Sequence, residues 1–326
     1  MKLAHAAIRT PGACGLYETT RELVAGLRQL GADARIVDPK PNPRFGPAPE
    51  EDRGVPIASL EWGAESDLIV SHSGHDGTPL ATSGRPILHV AHGRPVSTWL
   101  MEREGGAPAY TYAVKRAKDP RYRGAVTFWP EYEPILRSLW TPKPVHVVPP
   151  SVDLEYWRPG PTSYDFAGKS GQVNVVMADP WSRRDVSPIT AVHAFALFRH
   201  MVPGARLHLY ALDANTRGIG ALRLMLGDSL GVVQGWARDL RSVYRAAGLL
   251  ITPHKIHTRS VREAMATGLQ VVSGKDADPE DVEGFALAMA RRLERPEPVR
   301  KLAEAWFDPG RTAKAFLSVA ESCCGD

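Results

Sequence analysis

The fold of this chain is decided by residues 235–272, GWARDLRSVYRAAGLLITPHKIHTRSVREAMATGLQVV. This segment predicts a helix over 239–247 and then a continuous apolar run over 248–253, bounded by turn signals. Such a run is typical of a strand buried on both faces of a parallel sheet. A polar loop follows, then a second helix opening near Val261 and a further strand over 270–273. The alternation of helix and strand predicts an α/β fold.

The polar loop in this segment is a candidate ligand site. It lies at the carboxyl end of a predicted strand and leads into a helix N-terminus, which is where open α/β sheets bind ligands. Backbone N–H groups at a helix N-terminus are unpaired and carry partial positive charge, so they bind phosphates well. Glu263 falls in the first predicted turn of the helix, where a carboxylate stabilises the helix and accepts hydrogen bonds from a sugar diol.

The segment resembles the donor-site core of retaining GT-B glycosyltransferases of the family 4 type. The positions that match in order and spacing are Gly235, Asp239, Tyr244, Pro253, Glu263, Ala264, Met265, Ala266 and Gly268. The resemblance implies a GT-B fold, with two Rossmann-like domains facing a central cleft. It also implies sugar transfer with retention from a UDP- or GDP-sugar, without a metal and with no cofactor besides the nucleotide-sugar substrate. The alternative is an arbitrary βαβ unit with a capped helix.

Composition narrows the class of protein. The 326 residues are enough for two α/β domains of ordinary size. A hydrophobic content of 43% excludes a disordered or fibrous chain. No apolar run reaches the roughly 18 residues that span a bilayer, and early polar residues interrupt any secretory signal. The three cysteines form no disulfide framework, so a cytoplasmic location is expected. The net charge of +4 permits an anionic partner without requiring one, and the oligomeric state is left open.

The predicted domain organisation has four parts. An N-terminal, acceptor-side Rossmann-like domain covers residues 1–157, and a linker covers 158–172. A nucleotide-sugar-binding Rossmann-like domain follows over 173–308, and a helix over 309–326 crosses back to the N-terminal domain. The linker is polar and lacks periodicity, and it follows a stretch that resembles the hinge signature of the family.

The donor site departs from the family pattern at several positions. Asp179 takes the place of an arginine that binds the donor diphosphate, while Arg184 takes the place of the diphosphate-binding lysine. Lys255 takes the place of the first glutamate of a conserved-spacing glutamate pair, whose second member is Glu263. We therefore expect Asp179 and Lys255 to pair with each other, and Arg183 or Arg259 to supply the missing positive charge. The predicted donor-binding residues are Gly12, Gly15, Arg183, Arg184, Gly235, Lys255, Thr258, Arg259, Ser260 and Val261.

Two features of the N-terminal half also match the family. The glycine loop from Gly12 to Gly15 follows the first predicted strand, where a small residue lets the backbone approach the transferred sugar. His92 follows another predicted strand and matches a position beside the reacting sugar, so His92 and Glu263 are the predicted catalytic residues. A hydrogen-bonded loop histidine is the alternative for His92. The group His72, His75 and Asp76 has metal-ligand chemistry, but turn chemistry is favoured there.

A basic and aromatic segment over 110–123 suggests the acceptor. Such segments follow phosphate backbones and stack on bases, although a solvated helix face followed by a loop also explains the pattern. The predicted acceptor-binding residues are Arg94, Lys115, Arg116 and Tyr122. A hydroxymethylated DNA base, extruded from its duplex and modified as by viral glycosyltransferases, is one expected acceptor. A small molecule or a polysaccharide is the alternative.

Two other functions stay open on sequence grounds. Asp179 and Lys255 leave room for a non-catalytic nucleotide-sugar-binding protein. The same fold also serves epimerases, which convert a nucleotide-sugar without an acceptor, and phosphorylases, which respond to free phosphate.

Overall fold

The protein is described by a computed structural model that covers residues 1–10, 15–72, 75, 77–106, 108–179 and 186–325. The chain divides into two compact units. Unit 1 comprises residues 1–151 and 306–326, and unit 2 comprises residues 152–305. No described helix has the length and apolar character needed to cross a membrane.

Unit 1 is built on an eight-stranded sheet with the strand order β3-β4-β2-β1-β5-β6-β7-β8. Every pairing is parallel except that of β3 with β4. The chain leaves β1 toward β2 on one side and returns to β5 on the other, so the strand order reverses between β1 and β5. The strands are β1 (Lys2–Ala6), β2 (Asp33–Val37), β3 (Glu51–Asp52), β4 (Val55–Ala58), β5 (Leu68–Ser71), β6 (Ile87–Ala91), β7 (Tyr122–Thr127) and β8 (Val145–Val147).

The helices of unit 1 connect these strands, and one of them comes from the far end of the chain. They are α1 (Gly15–Gln29), α2 (Leu60–Ala64), α3 (Pro79–Thr82), α4 (Pro95–Arg103), α5 (Ala109–Lys118), α6 (Glu133–Trp140) and the last helix, numbered α13 (Pro309–Cys324).

Unit 2 has a five-stranded parallel sheet with the order β11-β10-β9-β12-β13. This is the 3-2-1-4-5 order of a Rossmann-like sheet, and its reversal lies between β9 and β12. The strands are β9 (Val173–Met177), β10 (Ala205–Tyr210), β11 (Leu230–Gln234), β12 (Leu249–Thr252) and β13 (Gln270–Ser273). The helices are α7 (Pro188–Met201), α8 (Ile219–Leu226), α9 (Leu240–Ala246), α10 (Arg259–Ala266), α11 (Val282–Glu294) and α12 (Val299–Trp306), the last residue of which belongs to unit 1.

The α/β prediction is confirmed, and so are the elements expected over 235–272. All four residues of β12 are buried, as the continuous apolar run predicted. One boundary differs: α10 begins at Arg259 rather than near Val261. The reason is that the Thr258 hydroxyl accepts a hydrogen bond from the N–H of Val261, so Thr258 is the N-cap. Glu263 consequently lies two residues further into the helix than the sequence indicated, in its second turn.

The first and last helices of unit 1 pack closely against each other. α1 buries most of its length, including Leu23, Val24 and Leu27. A Cβ atom at Gly26 would lie 2.9 Å from Cβ of Ala313 on α13, which is closer than carbon atoms pack without displacement. Thr312 at the start of α13 donates a hydrogen bond to the carbonyl oxygen of Pro149 at 2.9 Å. Glycine at position 26 therefore sets the separation of the two helices.

We predict that Gly26→Ala lowers the free energy of unfolding by about 1 to 3 kcal/mol, because the new methyl group overpacks the helix contact. Ala313→Gly removes the opposing methyl group. The double variant should therefore be more stable than Gly26→Ala alone, although alanine-to-glycine changes in helices normally cost about 1 kcal/mol. Urea unfolding followed by circular dichroism measures the four stabilities. A double variant less stable than Gly26→Ala would contradict this packing argument.

Candidate functional site

In unit 2, polar side chains meet where the strand order reverses. Asp179 follows β9 by two residues and His254 follows β12 by two residues, so both lie at the carboxyl edge of neighbouring strands. The Nε2 atom of His254 is 3.4 Å from Oδ1 of Asp179, and their side chains are only 4% and 2% exposed. A buried acid and a buried imidazole thus occupy the position at which Rossmann-like sheets bind ligands. Sequence reasoning missed His254, although a polar residue directly beyond a buried strand was the available signal.

The expected pairing of Asp179 with Lys255 is wrong. The Lys255 ammonium lies 3.4 Å from Oδ2 of Asp278, and both side chains are more than half exposed. The Lys255 side chain extends toward Asp278 because it packs against Gly274, which has no side chain. A Cβ at position 274 would lie 2.9 Å from Cγ of Lys255. The prediction assumed that Asp179 and Lys255 had exchanged charges and would therefore pair with each other. In the structure, Asp179 lies beside His254 and Lys255 lies beside Asp278.

Separate partners predict additive effects. We expect the changes in donor affinity caused by Asp179→Ala and by Lys255→Ala to add in the double variant, because the two side chains have different partners, His254 and Asp278. Titration calorimetry with UDP measures the three changes. A coupling free energy of more than about 0.5 kcal/mol between the two substitutions would instead indicate that Asp179 and Lys255 interact directly.

The N-terminus of α10 is the candidate phosphate site of unit 2. Of its predicted backbone donors, the N–H of Thr258 donates to the Ile256 carbonyl oxygen at 2.9 Å, and that of Val261 donates to the Thr258 hydroxyl. The N–H of Ser260 makes no hydrogen bond within the part of the chain that the structure describes. The Ser260 hydroxyl donates to the Ala178 carbonyl oxygen at 3.4 Å, which ties this helix to the segment after β9.

Glu263 is held by a charged neighbour on its own helix. The Nε atom of Arg259 donates to Oε1 of Glu263 at 2.6 Å, and the side chains are 13% and 8% exposed. Arg259 was predicted to neutralise a phosphate, and in this structure it neutralises the carboxylate instead. The pair leaves the predicted ribose-binding group ionised and oriented, because a buried carboxylate beside a guanidinium keeps its charge.

Tyr244 on α9 is a further polar group of this site. It is 1% exposed, and burial raises the pKa of its hydroxyl well above the usual value, with the charge of Glu263 as the next cause. The phenol therefore stays protonated at any ordinary pH. The Trp157 ring lies 6.0 Å from the Tyr244 ring and covers it. The sequence matched Tyr244 to the family pattern without giving it a role.

The other predicted donor residues have varied positions. Gly235 directly follows β11, and no atom of the described chain lies within 4 Å of the place a Cβ would occupy. Gly15 is the exposed first residue of α1 in unit 1. Gly12, Arg183 and Arg184 lie outside the described residues.

In unit 1, three histidine rings form a hydrogen-bonded chain at the strand-order reversal. Nδ1 of His5, in the middle of β1, lies 2.9 Å from Nε2 of His72, which follows β5. Nδ1 of His72 lies 2.8 Å from Nε2 of His92, which follows β6. Burial lowers the pKa of His5 to about 3 and that of His72 well below its usual value. Both imidazoles are therefore neutral near pH 7.

A second buried group surrounds His75. Its Nδ1 is 3.1 Å from the Ser71 hydroxyl, and its Nε2 is 3.4 Å from the Tyr122 hydroxyl. Tyr122 is 3% exposed and is the first residue of β7, so it cannot stack on an acceptor. The prediction that Tyr122 binds the acceptor is wrong, because the basic and aromatic segment is divided between the surface helix α5 and the buried strand β7. Asp76 lies outside the described residues.

The remaining acceptor candidates are on or beside helices of unit 1. Arg94 is the N-cap residue of α4. Lys115 and Arg116 occupy the last turn of α5, each 5.9 Å from the centre of the Tyr112 ring. Only Lys115 of these three cations is fully on the surface. No group of three or more potential metal ligands occurs among the described residues.

The buried histidines of unit 1 make its stability depend on pH. His89 stacks on Trp140 at 5.3 Å, its Nδ1 has no partner among the described residues, and burial lowers its pKa to about 3. Between its ordinary pKa of 6.5 and about 3, the unfolded chain binds a proton at this position that the folded chain excludes. The free energy of unfolding therefore decreases as the pH falls through this window.

We predict that His89→Phe weakens this pH dependence, because phenylalanine keeps the stacking and cannot bind a proton. The slope between pH 6 and pH 4 should decrease by about 1.4 kcal/mol per pH unit. Urea unfolding at several pH values measures it, with His193→Gln on the exposed surface of α7 as the control. An unchanged slope in His89→Phe would show that His89 is protonated in the folded protein.

Comparison of the sequence with protein-family models and with curated proteins gave no match. Comparison with solved structures gave many. The chain is similar to sucrose-phosphate synthase from Thermosynechococcus elongatus, with a TM-score of 0.71 and 16% identity over 98% of each chain. It is also similar to HepE from Anabaena, solved in complex with UDP and glucose, with a TM-score of 0.72 and 13% identity over 99% of this chain and 100% of that one.

A third similar structure belongs to a protein of a different named activity. It is a protein from Listeria monocytogenes described as a UDP-N-acetylglucosamine 2-epimerase, with a TM-score of 0.61 and 14% identity over 98% of this chain and 96% of that one. At these identities the likenesses establish the fold. The chain has the α/β fold of GT-B glycosyltransferase structures, with a parallel sheet in each unit.

Proposed function

We propose that this protein transfers a sugar from a nucleotide-sugar donor to an acceptor hydroxyl group, with retention of anomeric configuration. The observation that carries this proposal is the junction of β12 and α10, where a helix N-terminus and the buried Glu263 carboxylate lie at the strand-order reversal of a Rossmann-like sheet. That combination suits a ligand with phosphates at one end and a ribose at the other. The GT-B fold over nearly the whole chain supports the same conclusion.

Residues of unit 2 would bind the donor. The N-terminus of α10, with the N–H of Ser260, would receive the diphosphate, and Glu263 would accept hydrogen bonds from the ribose hydroxyls. The resemblance adds Arg183 and Arg184 as cations for the diphosphate. We favour a UDP-sugar over a GDP-sugar because the similar HepE structure contains UDP and glucose.

Electrostatic stabilisation of the leaving diphosphate would provide most of the rate enhancement. Negative charge develops on the diphosphate as the glycosidic bond breaks, and preorganised N–H groups and guanidinium groups stabilise that charge more in the transition state than in the ground state. These groups would do the work that a metal ion does in other transferases, and we propose that the reaction needs no metal. His92 would contact the transferred sugar, by resemblance.

The acceptor we favour is a small molecule or a saccharide. Burial of Tyr122 removes one of the aromatic residues that suggested a nucleic acid. Lys115 and Arg116 stay on α5, and their positive charge suits an acceptor that carries a phosphate or a carboxylate as well as one that is DNA. Hydroxymethylated DNA is therefore one arm of the test below.

The proposal is tested by incubating the purified protein with a panel of UDP- and GDP-sugars, and by measuring the released nucleotide and the sugar products. Acceptor arms are simple sugars, sugar phosphates, hydroxymethylated duplex DNA and no acceptor. Nucleotide release that depends on an acceptor would support a transferase. Epimerised donor without an acceptor would instead favour the activity named for the similar Listeria protein. Donor binding without any conversion would indicate a nucleotide-sugar-binding protein.

We predict that Glu263→Gln weakens UDP binding about 10- to 100-fold, because a charged acceptor of two hydroxyl hydrogen bonds is lost. Titration calorimetry measures the dissociation constants. Glu283→Gln, on the exposed face of α11, is the matched control and should bind UDP as the wild type does. Arg259→Gln separates the effect of the missing carboxylate from that of the disrupted ion pair. Unchanged UDP affinity in Glu263→Gln would exclude Glu263 from the ribose site.

A further inference from the structure

Three histidines in unit 1 form a hydrogen-bonded chain that runs from the interior to the sheet edge. His5 is fully buried in β1, His72 is 4% exposed, and His92 is partly exposed at the sheet edge. The ring of His5 packs 5.8 Å from Phe316, and the ring of His92 packs 5.6 Å from Phe128. Apolar rings thus hold both ends of the chain, while the two nitrogen-to-nitrogen contacts of 2.9 and 2.8 Å connect its members.

Each contact in the chain needs one donor and one acceptor. A neutral imidazole carries one N–H and one lone pair, so a proton on one ring nitrogen leaves the other as an acceptor. His5 and His72 touch each other through Nδ1 and Nε2, and His72 and His92 touch in the same sense. With His92 neutral like His5 and His72, the three rings have only two consistent arrangements: all three carry the proton on Nδ1, or all three carry it on Nε2.

The inner end of the chain selects between these two arrangements. Nε2 of His5 is buried and has no hydrogen-bond partner among the described residues. A buried N–H without a partner is less common in proteins than an acceptor that is not satisfied, because the lost hydrogen bond to water is not replaced. Nε2 of His5 should then be the bare lone pair, and its proton lies on Nδ1. Because each contact needs one donor and one acceptor, His72 and His92 must then also carry their protons on Nδ1.

We propose that His5 and His72 are positioning residues that fix His92 as its Nδ1–H tautomer. In this tautomer Nε2 of His92 accepts a hydrogen bond from His72, and Nδ1 donates. This inference rests on the proposed function, in which His92 contacts the transferred sugar. His92 would then bind a sugar or acceptor oxygen as a donor and would not act as a general base. The proton of the acceptor hydroxyl would pass to another group, for which the departing diphosphate is chemically suited.

The tautomer is measured without any substrate. Long-range proton–nitrogen correlation spectra of protein labelled with ¹⁵N-histidine distinguish Nδ1–H from Nε2–H rings, and the His92 signals are those lost in His92→Gln. We expect His92 to be the Nδ1–H form in the wild type at neutral pH. In His5→Met, whose thioether sulfur can accept a hydrogen bond but cannot donate one, a substantial Nε2–H population should appear. In His5→Phe, Nε2 of His72 becomes the buried nitrogen without a partner, so the Nδ1–H form should persist. An Nε2–H form of His92 in the wild type would overturn the inference.

Kinetics separate a positioning role from a structural one. His5→Met replaces the ring by an apolar side chain that cannot donate to His72, so a merely structural histidine predicts unchanged turnover. The inference predicts a kcat about tenfold lower, with the donor KM unchanged, because one oriented hydrogen bond in the transition state is lost. His72→Phe should have an equal or larger effect. His89→Phe, a buried histidine outside the chain, should keep the wild-type kcat and the His92 tautomer.

The two proposals fail in different ways. If the wild type transfers sugar and His92 is the Nε2–H form, or if His5→Met leaves the tautomer and kcat unchanged, the positioning inference is wrong and the transferase proposal stands. If no donor and acceptor react, the transferase proposal fails, and the spectra of the wild type and His5→Met still decide whether the chain fixes the His92 proton.

Discussion

Both units depend on one constraint of parallel sheets. Strands covered on both faces must be apolar along their length, so polar side chains gather just beyond the strand ends. Where the strand order reverses, the connections diverge and leave a crevice between neighbouring strands. The two reversals of this chain, after β1 and β5 in unit 1 and after β9 and β12 in unit 2, bring together buried titratable side chains, His5 with His72 and Asp179 with His254. The fold has to control the charge of those buried side chains, either by keeping them neutral or by placing a partner beside them.

The units control it in different ways. Unit 1 buries neutral imidazoles, whose low pKa values follow from desolvation and whose nitrogens bond to each other. Unit 2 buries the Asp179 side chain beside the His254 imidazole and pairs the charges of Arg259 and Glu263. A row of neutral rings fixes which nitrogen of each ring donates, at little electrostatic cost. An ion pair keeps charged groups in place beside the position of an anionic ligand. The difference matches the proposed division of labour between a sugar-contacting unit and a diphosphate-binding unit.

The sequence predicted the backbone far better than it predicted side-chain partners. Residues 249–252 form a buried strand because an apolar run of that length has few other stable positions, and Gly268 ends its helix turn with a φ of +85°. Tyr122, Lys255 and His254 were misjudged or missed. Their roles depend on which elements lie beside them in space, such as the contact of Tyr122 with His75 across 47 residues of sequence. Spacing along one helix predicts a pair like Arg259 and Glu263, but no local pattern predicts partners that the sheet order brings together.

The packing of α13 on α1 has a consequence for biosynthesis. Unit 1 begins with the first strand of the chain and is completed by a helix from residue 309 onward, with all of unit 2 in between. Translation proceeds at about 5–20 residues per second, and domains commonly fold as they emerge from the ribosome. Unit 2 has all its residues outside the ribosome before unit 1 does. The face of α1 around Gly26 must wait for the last helix, so the nascent chain has an interval in which an apolar surface needs protection from aggregation.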